Sequence, residues 1–139
     1  ISGPSRTGEE LAQAINTAMR NAGVSPADLA FVSAHGTATI FNDEMEAKAF
    51  SLSGLSAVPV HSLKPHYGHT LGAAGVLESV LSCLSLQNGV VLPSSNFNEA
   101  GVSQPINVSR NLSTSSKQHA LKTASGFGGC NAAIIFSKS

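Results

Sequence analysis

The stretch AFVSAHGTAT, residues 30–39, opens with an apolar run and then turns to a histidine, a glycine and two threonines. A short run with almost no polar break fits a strand covered on both faces, and its end delivers His35 into a turn. VPVHSL, residues 58–63, repeats the pattern and ends beside Lys64. Helical periods surround both runs. Leu11, Ala14, Ile15, Ala18 and Met19 share one helix face after Thr7 and Glu10, which have capping-box spacing, and Gly23 supplies the stop. Ser25 and Pro26 start a short helical turn. Asp43 and Glu46 repeat the capping-box spacing and open a helix to about Leu52.

The segment from Thr70 to Gln87 has leucines and valines around its whole circumference, which predicts a core helix. Gly72, Ala73, Ala74 and Gly75 leave its first turns thin enough for another backbone to approach. HALKTASGF and NAAIIFSK read as two closing strands joined by GFGGC. The alternation of helices and strands predicts an α/β layer with helices packed on a sheet.

Composition narrows the function. The 139 residues fit one domain, 42% of them are hydrophobic, and the formal net charge is zero. Nucleic acid and acidic membranes are not expected partners, because both call for a basic excess. No apolar run has bilayer length and no signal peptide is read at the start. Cys83 and Cys130 form no disulfide framework, so a reducing, cytoplasmic setting is expected. The chain opens ISGPSRTG, as if a loop were already under way, and reads as a piece of a longer protein.

Two strand ends present polar groups just before helices, a common address for α/β active sites. One offers His35 with Thr37 and Thr39; the other offers Lys64 with His69. Lys64 sits between buried-looking segments, where an unpaired ammonium is expensive. Glu78, alone in the apolar helix, is its natural partner, and a buried ion pair is expected. His61, His66 and His69 suggest zinc, but they match no H-E-x-x-H pattern and share no helical face, so no metal is expected. His119 reads as a surface histidine, and Cys130 as packed rather than reactive. In SGFGGCN the three glycines around Phe127 fit either a hairpin turn or a backbone that meets a ligand. Backbone N–H groups there could stabilise an oxyanion.

Taken together, three ordered blocks resemble the C-terminal part of the β-ketoacyl synthases, the condensing enzymes of fatty-acid and polyketide assembly. VSAHGTATIFNDEMEAKAF is similar to the family's H-G-T-G-T block with its D-x-x-E. HSLKPHYGHTLGAAGVLE is similar to S-x-K-x-x-x-G-H-x-x-G-A-A-G, and SGFGGCNAAIIF to the closing G-F-G-G-T-N strand-turn-strand. AINTAMRNAGVSPADLAFV resembles the helix and turn ahead of the first block. The resemblance implies a thiolase-like α/β fold, of which residues 1–139 would be the C-terminal half, one of two stacked α-β-α halves.

It also implies catalytic roles for His35, His69 and Lys64, with Glu78 supporting the lysine. Thr37 and Thr39 would contact a phosphopantetheine arm, and Phe127 and Gly128 would lie at the acyl pocket, the Phe127 N–H serving an oxyanion hole. That arm belongs to an acyl carrier protein, the implied partner; no intrinsic cofactor is expected. Malonyl and acyl thioesters are the implied substrates, and the full-length protein would be a homodimer. Ala38 stands where the family has glycine, a change expected to be tolerated, and Cys130 where it has threonine.

The family's nucleophilic cysteine lies in an N-terminal half that these residues do not contain, so the chain alone is expected to be inactive. Competing readings are a non-catalytic ketosynthase-like partner subunit and a standalone interaction module that kept the fold. An exposed apolar surface where a second half should dock would count against the module.

Overall fold

The computed structural model describes residues 3–139. In chain order the elements are α1 (Glu9–Ala22), β1 (Leu29–Ser33), α2 (Ile40–Leu52), β2 (Val60–His61), α3 (Lys64–Tyr67), α4 (Ala74–Gln87), β3 (Val90–Val91), β4 (Ser113–Thr114), β5 (His119–Gly126) and β6 (Cys130–Ser137). Four strands form a mixed sheet in the order β2-β1-β5-β6. β1 runs parallel to both neighbours, and β5 and β6 make an antiparallel hairpin. The short β3 and β4 pair separately. No helix among the described residues is long and apolar enough to cross a membrane.

β1 is buried along its whole length, as its apolar run requires. Leu29, Val32 and Ala34 pack with Leu11, Ile15, Met45 and Phe50 of α1 and α2. Ala30 and Phe31 face the other way, onto Leu86 and Val91. Fully burying side chains such as Leu29 and Phe31 stabilises the fold by about 1.5–3 kcal/mol each. The edge strand β2 is shielded by the following loop. Val60 donates its N–H to Asn107 O at 2.8 Å and accepts from Ser109 N–H at 2.8 Å.

Local signals at Gly23 and Ser25 hold. Gly23 ends α1 in the left-handed conformation, and the Asp28 carboxylate accepts from both the N–H and the hydroxyl of Ser25. Both expected capping boxes are displaced. α1 is capped by Gly8, not Thr7, with φ 77° and no side-chain cap. A Cβ there would lie 2.7 Å from Met45 O, so the close approach of α1 to α2 selects glycine. α2 starts at Ile40 with Thr39 at its N-cap. Asp43 therefore lies in the first turn, and Glu46 is freed for another use.

The larger correction concerns α4. Its buried residues are Ala74, Glu78, Ser82, Ser85 and Leu86, whereas Leu77, Val80 and Leu84 are exposed and Val76 is 71% exposed. A helix apolar all round does call for cover on every side. Here the sheet covers only the side that carries the glutamate and serines. Nothing within these residues approaches the thin positions Gly72 and Gly75.

Candidate active site

The parallel strands carry the candidate residues to one end of the sheet. His35 follows β1 by two residues, and its backbone N–H and that of Gly36 donate to the two Glu46 carboxylate oxygens at 2.9 and 2.7 Å. Asn42 Nδ2 and Thr123 Oγ1 donate to the same carboxylate, at 3.1 and 3.0 Å. Glu46 thus fixes the turn from α2 and ties it to β5. Gly36 has φ 48°, and a Cβ on it would lie 2.5 Å from the Ser62 Cβ. The contact is close because Ser62 Oγ donates to Gly36 O at 2.8 Å while accepting from Lys64 N–H at 3.4 Å. One hydroxyl therefore joins the His35 turn to the start of α3.

Lys64 points back into that turn. Its Nζ donates to His35 O at 2.5 Å, faces His35 Nδ1 at 3.4 Å and meets Glu78 Oε1 at 2.6 Å. The expected ion pair is present, and Glu78 is only 1% exposed. A second cation joins it. Lys122, in the middle of β5, places Nζ 2.5 Å from Glu78 Oε2, a charge contact off the hydrogen-bonding direction. In the sequence, Lys122 falls within HALKTASGF, which reads only as a closing strand. The argument applied to Lys64, that a lone cation in an apolar run must be compensated, would have found it.

The His69 ring lies edge-on to that of His35, with centroids 5.4 Å apart. Its Nδ1 accepts from Leu71 N–H at 3.0 Å, and Leu71 aims that donor from a left-handed conformation, φ 52°. These partners assign the tautomers: an Nδ1 that accepts leaves the proton of a neutral imidazole on Nε2. His35 is held neutral. Burial first, then the Lys64 and Lys122 ammonium groups, lower its pKa from 6.5 to about 4. Burial alone would raise the Glu78 carboxyl, but the two ammonium groups outweigh it and the net shift is downward.

The remaining candidates separate. Thr37 and Thr39 hydroxyls lie 2.9 Å apart on the turn leading into α2. A cavity of about 500 Å³ opens beside it, lined by Thr37, Lys64 and His69 together with Phe97, Val102 and Ile106. Phe127 is 94% exposed at the tip of the β5–β6 hairpin, where Gly128 and Gly129 have φ 83° and 79°. Because β5 is parallel to β1, with Lys122 opposite Ser33, this tip projects beyond the sheet end that carries His35. Cys130 is exposed, not packed, because the hairpin ends before the helices cover it; Cys83 is half-buried in α4.

The other histidines go separate ways. His61 is fully buried against Phe31, His66 contacts Pro93 O and Ser95, and half-buried His119 pairs with Ser137 Oγ at 2.8 Å. Burial lowers the pKa of His61 from 6.5 to about 4.

Two imidazoles and a buried lysine–glutamate contact meet at one end of the α/β sheet, the end beyond which the glycine-rich hairpin projects. Residues 1–98 match the family model described as Beta-ketoacyl synthase, C-terminal domain. The chain is 36% identical over 146 residues to 3-oxoacyl-[acyl-carrier-protein] synthase 2 of Vibrio cholerae, covering 99% of this chain and 35% of that protein. It is 36% identical over 135 residues to the tetracenomycin polyketide synthase ketoacyl synthase alpha subunit of Streptomyces glaucescens, covering 94% and 32%.

Among solved structures, a ketosynthase from Xenorhabdus doucetiae in complex with its chain length factor superimposes with TM-score 0.90 at 33% identity, over 99% of this chain and 35% of that one. The chain belongs to the β-ketoacyl synthase family, and its α/β fold is the thiolase-like fold of those ketosynthases. It spans about a third of the length of the curated relatives it matches.

Proposed function

We propose that the chain is the thioester-polarising part of a 3-oxoacyl-acyl-carrier-protein synthase, which condenses malonyl-carrier protein with an acyl thioester. The observation that carries this reading is the pair of imidazoles whose Nδ1 atoms are both engaged, by Lys64 and by the Leu71 N–H. Their Nε2–H groups are left as two donors for one carbonyl oxygen. With the malonyl thioester carbonyl between them, the bond to the carboxylate breaks, CO₂ leaves, and the electron pair becomes an enolate held by both donors. The enolate carbon then attacks an acyl group carried on a cysteine. The new C–C bond forms, the C–S bond breaks, and the thiolate departs.

That cysteine belongs to an N-terminal half outside these residues. The exposed Leu77, Val80 and Leu84 of α4 support such a half and count against a standalone module, which would cover its own apolar face. In this reading Thr37 and Thr39 contact the phosphopantetheine arm of the carrier protein, and the Phe127 and Gly128 backbone serves the tetrahedral oxyanion. The full-length protein acts as a homodimer in the cytoplasm.

The test supplies acyl- and malonyl-carrier protein to the full-length protein. A 3-oxoacyl product and an acyl-cysteine adduct are expected, together with loss of CO₂ release in His35→Ala and His69→Ala. Residues 1–139 alone should give neither product nor adduct, since covalent catalysis lacks its nucleophile. Full-length protein that never forms an acyl-cysteine would point instead to a non-catalytic partner subunit. An acyl group on Cys83 or Cys130 would overturn the assignment of roles.

A further inference from the structure

Lys122 is a buried charge that the reaction described above does not use. It is 3% exposed, stands opposite Ser33 in register, and donates to Thr123 O at 2.5 Å, Ala34 O at 3.3 Å and Ser33 O at 3.4 Å. Among the described residues its one ion contact is Glu78 Oε2, and the other oxygen of that carboxylate already serves Lys64. Two ammonium groups therefore contact one carboxylate in the interior, and the other buried carboxylate nearby, Glu46, acts on Lys122 without touching it, its oxygens being taken by the His35 and Gly36 N–H groups. Buried charges are tolerated only where the geometry compensates them, and two cations on one carboxylate is a costly arrangement.

The groups facing His35 make sense of that cost. Lys64 of α3 faces its Nδ1, His69 packs edge-on, and Glu78 of α4 and Lys122 of β5 act from below. Glu46 of α2 holds the backbone N–H. A lone Lys64–Glu78 pair would be neutral and would leave little positive field at Nδ1.

We propose that Lys122 is a positioning residue of the site: by holding the second oxygen of Glu78 it keeps the Lys64 charge turned to His35, so that His35 stays a neutral Nε2 donor. This rests on the function proposed above. The chemistry is electrostatic: a cation adjacent to the acceptor nitrogen disfavours a second proton on the ring and polarises the remaining N–H toward substrate. The downward pKa shift of His35, with Lys122 among its causes, is in line with it.

The experiment uses the full-length protein with the variants Lys122→Met, Lys122→Gln and Lys122→Met/Glu78→Gln. It has two readouts: the acid limb of malonyl-thioester decarboxylation against pH, and the titration of the His35 ring by NMR of ¹³C-labelled histidine. Both single variants are expected to move the limb and the His35 titration to higher pH, by roughly half a unit to one unit. The double variant leaves the Lys64 ammonium without Glu78 as its counter-charge and should move both back toward wild type. A merely structural lysine would show no such rescue, because the double variant loses more contacts than either single one.

Folded single variants whose His35 titration matches wild type would overturn the proposal, as would a double variant shifted further than Lys122→Met. If one single variant fails to fold, the other decides. A wild type without decarboxylase or condensing activity would sink the proposed function, while the NMR titration would still decide the role of Lys122.

Discussion

Replacing Glu78 with glutamine should be the most damaging conservative change in this chain, and worse than replacing either lysine. The carboxylate is buried, with Lys64 Nζ at 2.6 Å on one oxygen and Lys122 Nζ at 2.5 Å on the other. Glu78→Gln removes the one carboxylate that both ammonium groups contact among the described residues. Removing one partner of a buried pair costs about 3–5 kcal/mol, and here two cations lose their partner at once, so the upper end is expected. Lys64→Met removes a cation but leaves Glu78 beside Lys122. Its cost is the charge-assisted hydrogen bonds to Glu78 and His35 O, about 1.5–3 kcal/mol. The assay is urea denaturation of the full-length protein and both variants, followed by circular dichroism, comparing midpoints where the slopes agree. A Lys64→Met midpoint as low as that of Glu78→Gln, or lower, would refute the shared-carboxylate argument.

Other consequences are open to measurement. His35 and His61 both have pKa values lowered from 6.5 to about 4, so the unfolded chain binds two more protons between those limits. Their stabilisation is present above pH 6.5 and is lost as pH falls toward 4, with a slope of roughly 2–3 kcal/mol per unit near pH 5; denaturation midpoints at pH 5 and pH 7 check it. Ala38 holds φ 57°, so Ala38→Gly should stabilise by about 0.5–1 kcal/mol, the relief of left-handed strain less the added freedom of the unfolded chain. Gly36→Ala should cost about 2–4 kcal/mol through the clash with Ser62, and Ser62→Gly on top of it should recover part of that loss.

The buried run of β1 and the delivery of His35 were readable because an unbroken apolar stretch has few other uses. The Lys64–Glu78 contact was readable for a similar reason: isolated charges in apolar segments have few places to go. The capping boxes misled. Thr7-x-x-Glu10 and Asp43-x-x-Glu46 have the right spacing, but the packing of α1 on α2 moved one cap to Gly8, and the chain course into α2 moved the other to Thr39. Periodicity showed that α4 is apolar all round, yet it could not say which side this chain would cover. Lys122 was missed although the argument used for Lys64 applies to it; strand pattern leaves open only which carboxylate it meets. Ala38 looked like a mild exchange for glycine; only the backbone reveals its left-handed conformation.

The Glu46 carboxylate accepts from His35 N–H, Gly36 N–H, Asn42 and Thr123, and the Nδ1 atoms of His35 and His69 are also taken. The Glu46 carboxylate and the two Nδ1 atoms therefore have no spare lone pair with which to pull a proton from carbon. An acetyl thioester placed there in heavy water should keep its methyl hydrogens, with no deuterium washed in. In the function proposed above, the carbon nucleophile would then come only from a substrate that brings its own leaving carboxylate, and the preference for malonyl over acetyl units would follow from what the site cannot abstract.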